Sequence, residues 1–119
     1  MTRSITQLNM IQLEKAVRVA SLPAYRQIES FPPNVDIPFE IADDFGNHCR
    51  WILEGKDAPK LTSEQRSRLA ALDRRLDAMS GEDNADLWTE DAIRFRAEWD
   101  EVREKARRIL DVFGWSSDE

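Results

Sequence analysis

The chain lacks most of what marks a recognisable active site. It has a single cysteine, Cys49, and a single histidine, His48. One cysteine rules out an internal disulfide, and with it the small cross-linked scaffolds of secreted proteins. A reducing, cytoplasmic setting is the expectation. One histidine rules out the paired Glu-x-x-His steps of carboxylate-bridged di-iron bundles. Long apolar runs are missing too: the longest, Leu69 to Leu72, has four residues. A membrane span needs about twenty, so none is expected. The amino terminus is mostly polar and has no apolar centre of the kind a signal peptide carries. Positive charge is in deficit, with 17 Lys and Arg against 23 Asp and Glu, a net charge of −6 and a pI near 4.9. Phosphates repel such a surface, so nucleic acid is not an expected partner. A basic protein partner is compatible with it, although acidity also serves solubility alone.

What is present fits one globular domain over residues 1–119. A 41% hydrophobic fraction with four Trp and five Phe supplies a core and excludes wholesale disorder. The charged fraction of 34% exceeds the usual ~25%, as suits a small helical domain with much surface to cover. No internal repeat is visible.

Helical periodicity runs through the chain. Ser4, with Gln7 in the capping-box place, starts a first helix to about residue 20, its stripe being Ile5, Leu8, Ile11, Leu13, Val17 and Ala20. Pro23 opens a short second helix through Ile28. Residues 30–38 hold three of the five prolines and read as a loop pinned by Phe31 and Val35. The alternation Val35, Ile37, Phe39, Ile41 also fits a short edge strand, against which Pro38 argues. A third helix starts near Asp36 or Pro38 and ends before Gly55, with Ile41, Phe45, Cys49 and Ile52 on its apolar face. Lys56 to Lys60 is a connector. Thr62 and Gln65 form a second capping box, with Leu61 placed for a staple, and Leu69, Leu72, Leu76 and Met79 line that helix up to Gly81. The strongest signal is the last: Trp88, Ala92, Phe95, Trp99, Val102, Ala106, Ile109 and Phe113 alternate steps of four and three. That pattern predicts one apolar face on a helix over 89–113, capped by Thr89, ended by Gly114, with Trp115 folding back. Such a helix would be about 37 Å long, and a bend near Arg94 to Arg96 is expected. The expected fold class is all-α, a bundle of four to five helices with a long C-terminal helix.

The stretch "DDFGNHCRW" at 43–51 invites a chemical reading. Asp44-Phe45-Gly46 spells the magnesium-holding tripeptide of protein kinases, but no glycine-rich loop, strand lysine or catalytic loop precedes it. Gly46 inside a helix costs roughly 1 kcal/mol against alanine, which points to a close helix crossing or a local kink. Glu40, Asp44 and His48 are spaced by four and share a helical face, with Asp43 and Asn47 beside it. A divalent metal on that face, serving a small hydrolase, is the enzymatic alternative. The plainer reading is a solvated acidic face with His48 paired to Asp44, and no metal or cofactor is expected. Cys49 stands about 100° round the helix from His48, which is poor geometry for a thiolate–imidazole pair, and its place on the apolar stripe predicts a buried, inert thiol. The carboxylate pairs Asp73/Asp77 and Glu98/Glu101 suit magnesium-dependent nucleotide hydrolysis, but Arg74, Arg94 and Arg103 stand ready to neutralise them.

Charge layout is the more informative pattern. Glu82, Asp83, Asp86, Glu90 and Asp91 fall within ten residues that contain no base, with Leu87 and Trp88 among them. Asp36, Glu40, Asp43 and Asp44 form a second base-free group, while Arg66, Arg68, Arg74, Arg75, Arg103, Lys105, Arg107 and Arg108 collect elsewhere. Acidic ground around an aromatic residue suits the docking of a basic protein. The expectation is a non-enzymatic binding module that neutralises or regulates a basic partner through Glu82, Asp83, Asp86, Trp88, Glu90 and Asp91. Small acidic helical proteins include bacterial immunity proteins, which cover basic toxin domains; the likeness is one of size, charge and helix content, and no motif carries it. Self-association through the last helix is the third reading.

Overall fold

Local signals set the start of each long helix. In the computed structural model, which describes residues 4–55 and 60–115, Ser4 Oγ accepts from the Gln7 amide while the Gln7 side chain accepts from the Ser4 amide. The reciprocal box starts α1 (Ile5–Ser21). Pro23 then precedes α2 (Ala24–Glu29), and Asp36, its carboxylate accepting from the Phe39 amide, caps α3 (Ile37–Glu54). Pro38 falls in the first turn of α3, where its missing N–H costs nothing. From Ile37 onward the alternation is therefore helical, and no strand occurs among the described residues. Thr62 and Gln65 form the second box, starting α4 (Ser63–Ala78). Of the connector expected at 56–60, only Lys60 lies within the described residues.

The chain then departs from the expected single long helix. A 3-10 helix (Glu82–Leu87) leads to α5 (Glu90–Phe95), which Thr89 caps, and α6 (Ala97–Phe113) follows after one extended residue, Arg96 (φ −95°, ψ 134°). The expected bend is thus a full break. Its consequence is a change of register: Ile93 is buried, while Phe95, expected on the core stripe, is 78% exposed. Two long-range bonds hold the break. Trp99 Nε1 donates to the Leu87 carbonyl at 2.7 Å, and Arg96 Nη1 donates to Asp86 Oδ2 at 2.8 Å. Gly114, in the left-handed region (φ 69°), ends α6, and Trp115 folds back so that its amide reaches the Leu110 carbonyl and its ring stacks on Phe113 at 4.3 Å.

The fold is all-α, and among the described residues six α-helices and one 3-10 helix occur, close to the expected four or five helices. Four of them, α1, α3, α4 and α6, form an up-down-up-down bundle. Asn9 meets His48 across α1 and α3; Gln65 reaches the Val112 carbonyl and Arg75 faces Glu101 across α4 and α6. Leu13, Val17, Ile41, Phe45, Ile52, Leu69, Leu72, Trp99, Val102 and Ile109 fill the middle. The outer half of the expected α1 stripe does not join them: Ile5 is 67% exposed and Leu8 47%.

One polar knot lies inside the apolar core. Gln27 is fully buried and its Nε2 donates to the Val19 and Ala20 carbonyls at the end of α1. Its Oε1 accepts from Arg103 Nη1 at 2.9 Å, and Arg103, 5% exposed, also donates to Asp100 at 2.7 Å. The knot satisfies orphan carbonyls of α1 and ties α1, α2 and α6 together.

Candidate functional site

The bundle gathers at one end the C-termini of α1 and α4, the N-termini of α3 and α6, and the short α2, 3-10 and α5 elements. Both base-free acidic groups of the sequence arrive there. Asn84 Nδ2 donates to the Ala78 and Ser80 carbonyls, pinning the 3-10 helix to the end of α4. Asp43 and Phe39 of α3 line one cleft, of about 280 Å³, with Ser80 and Trp88. Residues about 40 positions apart in the chain therefore meet.

The carboxylates are less bare than the sequence implies. Arg96 binds Asp86 at 2.8 Å, and Arg94 lies 3.7 Å from both Glu90 and Asp91. Arg96 donates to Asp86 and holds its carboxyl below the usual range. The contribution of that pair to stability is present above the ordinary carboxylate range and is lost as pH falls through the depressed value. Glu82 and Asp83 are exposed and have no ion pair among the described residues. Trp88 is half-buried: its Nε1 donates to the Met79 carbonyl at 2.8 Å, and it meets Trp99 edge-on at 5.5 Å. Much of that ring is structural, and the exposed aromatic of the cleft is Phe39, 52% open to solvent. Phe39 was legible in principle: it stands two positions before Ile41, about 200° round the helix from the buried stripe.

The enzymatic alternative finds a different geometry. His48 Nδ1 hydrogen-bonds Asn9 Oδ1 at 3.1 Å, in place of the expected pairing with Asp44. Asn9 Nδ2 donates to the Ile5 carbonyl, which leaves its Oδ1 as the acceptor and puts the hydrogen on His48 Nδ1. Glu40 and His48 are half-buried and Asp43 and Asp44 exposed. Desolvation, followed by repulsion from Asp43, raises the Asp44 carboxyl, with His48 opposing. Among the described residues no three His, Cys, Asp or Glu side chains converge to hold a metal. Asp73 and Asp77 face the α3–α4 groove, while Glu98 and Glu101 lie against Arg96 and Arg75.

Comparisons with protein-family models, with curated proteins and with solved structures found no match to this chain. Among the described residues no helix is long and apolar enough to cross a membrane.

Cys49 is fully buried, its thiol directed at the Leu69 carbonyl at 3.9 Å. Burial, then the nearby Asp73 charge, pushes the thiol up to about 12. An aromatic disulfide reagent at neutral pH should therefore leave Cys49 unmodified in the native protein and titrate one thiol in denaturant. Rapid native labelling would show that the α3–α4 seam opens.

Proposed function

We propose that the chain is a non-enzymatic protein-binding module whose docking ground is the acidic end of the bundle. The observation that carries this reading is the convergence of Asp43, Phe39 and Trp88 on one cleft, which Arg50 also lines, with Glu82 and Asp83 close by in the chain and without an ion pair among the described residues. Of the five carboxylates at 82–91, Asp86 pairs with Arg96 and Glu90 and Asp91 share Arg94, while Glu82 and Asp83 have no ion pair among the described residues. A basic partner is steered by that field, and Phe39 offers the apolar contact that slows dissociation. A neutralising or regulatory role toward such a partner follows from the occlusion of its basic surface. The apolar face of α6 supports this reading over self-association, because Trp99, Val102, Ala106 and Ile109 are already buried inside the monomer.

The test begins with capture of the partner from the native cell and its identification by mass spectrometry. Association is then followed by stopped flow. Glu82→Lys with Asp83→Lys should slow association about tenfold at low salt and flatten its salt dependence. Asp86→Lys is the poorer probe because it breaks the Arg96 pair. Phe39→Ala should chiefly speed dissociation. Unchanged kinetics in both variants would reduce this surface to a solubility feature.

A further inference from the structure

The groove between α3 and α4 presents a cation that the acidic reading does not use. Arg50, exposed, lines it with Gly46, Asp73, Arg74 and Asp77, and together with Ala42, Ser80 and Trp88 it also lines the adjoining cleft at Phe39 and Asp43. Its guanidinium makes no hydrogen bond or ion pair with any described residue, although carboxylates line the same groove. Arg74, exposed on the facing helix, is in the same position.

Gly46 explains how the Arg50 guanidinium comes to lie there. α3 is continuous from Ile37 to Glu54, with Gly46 buried within it. A Cβ built on Gly46 would stand 3.0 Å from Arg50 Nη2, and its three nearest neighbours would all be guanidinium atoms of Arg50. The glycine thus leaves room for a guanidinium folded back along its own helix, at some cost in helix propensity.

We infer that this groove binds a carboxylate borne on an apolar body. The carboxylate engages the planar guanidinium of Arg50, with Arg74 adding charge from α4. The body lies toward Phe39 and Trp88. Asp43, Asp73 and Asp77 disfavour a ligand of higher negative charge, such as a phosphate diester or polyphosphate, and tolerate a single carboxylate beside a neutral or cationic group.

Titration of the 15N-labelled protein with 3-phenylpropionate tests this. Shifts should appear at the Trp88 indole N–H and the Gly46 amide, with a Kd of about millimolar or tighter. The isosteric 3-phenylpropanamide should bind at least about tenfold more weakly. Arg50→Gln should abolish the shifts and Arg50→Lys should restore part of them, with circular dichroism confirming the fold. Gly46→Ala should weaken binding by displacing the guanidinium. N-acetylphenylalanine distinguishes the sources: tighter binding than phenylpropionate assigns the site to the carboxy end of a peptide chain, weaker binding to a free small acid. Equal affinity for acid and amide, preference for 3-phenylpropylamine, an unchanged Arg50→Gln titration, or no shift by 10-fold the expected Kd would each overturn the assignment. The ligand shares the Phe39–Trp88 cleft with the docking ground, but none of these outcomes involves Glu82 or Asp83, so the charge-reversal kinetics distinguish failure of the one reading from failure of the other.

Discussion

Trp99→Ala should melt about 10 to 20 °C below the parent or fail to fold. Trp99 is fully buried at the start of α6 and packs edge-on against Trp88. Removing a core tryptophan costs about 3 to 5 kcal/mol, against a total stability of roughly 5 to 15 kcal/mol for a domain. The substitution also strips the Leu87 carbonyl of its donor. An unpaired buried carbonyl adds about 1 to 3 kcal/mol. Since that bond fixes the turn between the 3-10 helix and α6, the damage should spread to the acidic end of the bundle. Trp99→Phe keeps most of the packing and loses the N–H, so its cost should be about half as large or less. Thermal unfolding by circular dichroism measures both variants. A Trp99→Ala protein that melts with the parent would show that this residue does not hold the core.

Gln27→Leu should be nearly as damaging, although glutamine is a surface residue in most proteins. The change leaves the Val19 and Ala20 carbonyls without their side-chain donor and removes one of the two acceptors of buried Arg103. Leaving a buried guanidinium underpaired costs about 3 to 5 kcal/mol. Arg103→Met alone should cost somewhat less, because the group left behind, Gln27 Oε1, is neutral. The double variant should be more stable than the sum of the single losses implies, by about 1 to 3 kcal/mol, because the worst species, a buried guanidinium with Asp100 as its one remaining acceptor, no longer exists. Denaturant unfolding of all four proteins closes the cycle. Strict additivity would mean that the knot is not an energetic unit.

Legibility in the sequence followed the range of the interactions. Both capping boxes, the Asp36 cap and the Thr89 cap rest on residues three apart, and a reader of the chain finds them. The stripes of α3 and α4 are equally local, and Ile41, Phe45, Cys49, Ile52, Leu69, Leu72 and Met79 are buried as their spacing requires. The last helix misleads because its seven-step pattern is unbroken through Arg96 while the backbone is not. What breaks it is tertiary: the Arg96–Asp86 pair and the Trp99–Leu87 bond span 10 and 12 residues. Periodicity carries no trace of either, so Phe95 looked like core and Ile93 did not. The Gln27–Arg103 bond spans 76 residues and involves two types that usually face water, which leaves it without any local sign.

The candidate site was half legible. Clusters of like charge are visible in any sequence, and the two acidic groups were. Their convergence depends on α3 and α4 running antiparallel, which spacing does not reveal. Arg94 and Arg96 were outside the ten-residue window, so the charge at 82–91 looked barer than it is. Phe39 reads in sequence as one member of the alternation at 35–41, which hides it as an exposed aromatic, and nothing in sequence shows that the Arg50 guanidinium folds over a glycine four residues earlier.

The central claim, a basic partner on the acidic end, is tested most directly by zero-length cross-linking in a lysate of the native cell. A water-soluble carbodiimide joins carboxylates to lysine amines in contact, and peptide mass spectrometry then maps the joined residues. The account predicts links from Glu82, Asp83 and Asp43 to lysines of a single basic protein, lost when 0.5 M salt screens the encounter. Links confined to carboxylates of α1 and α6 at the far end of the bundle, or scattered over many proteins without preference, would contradict it.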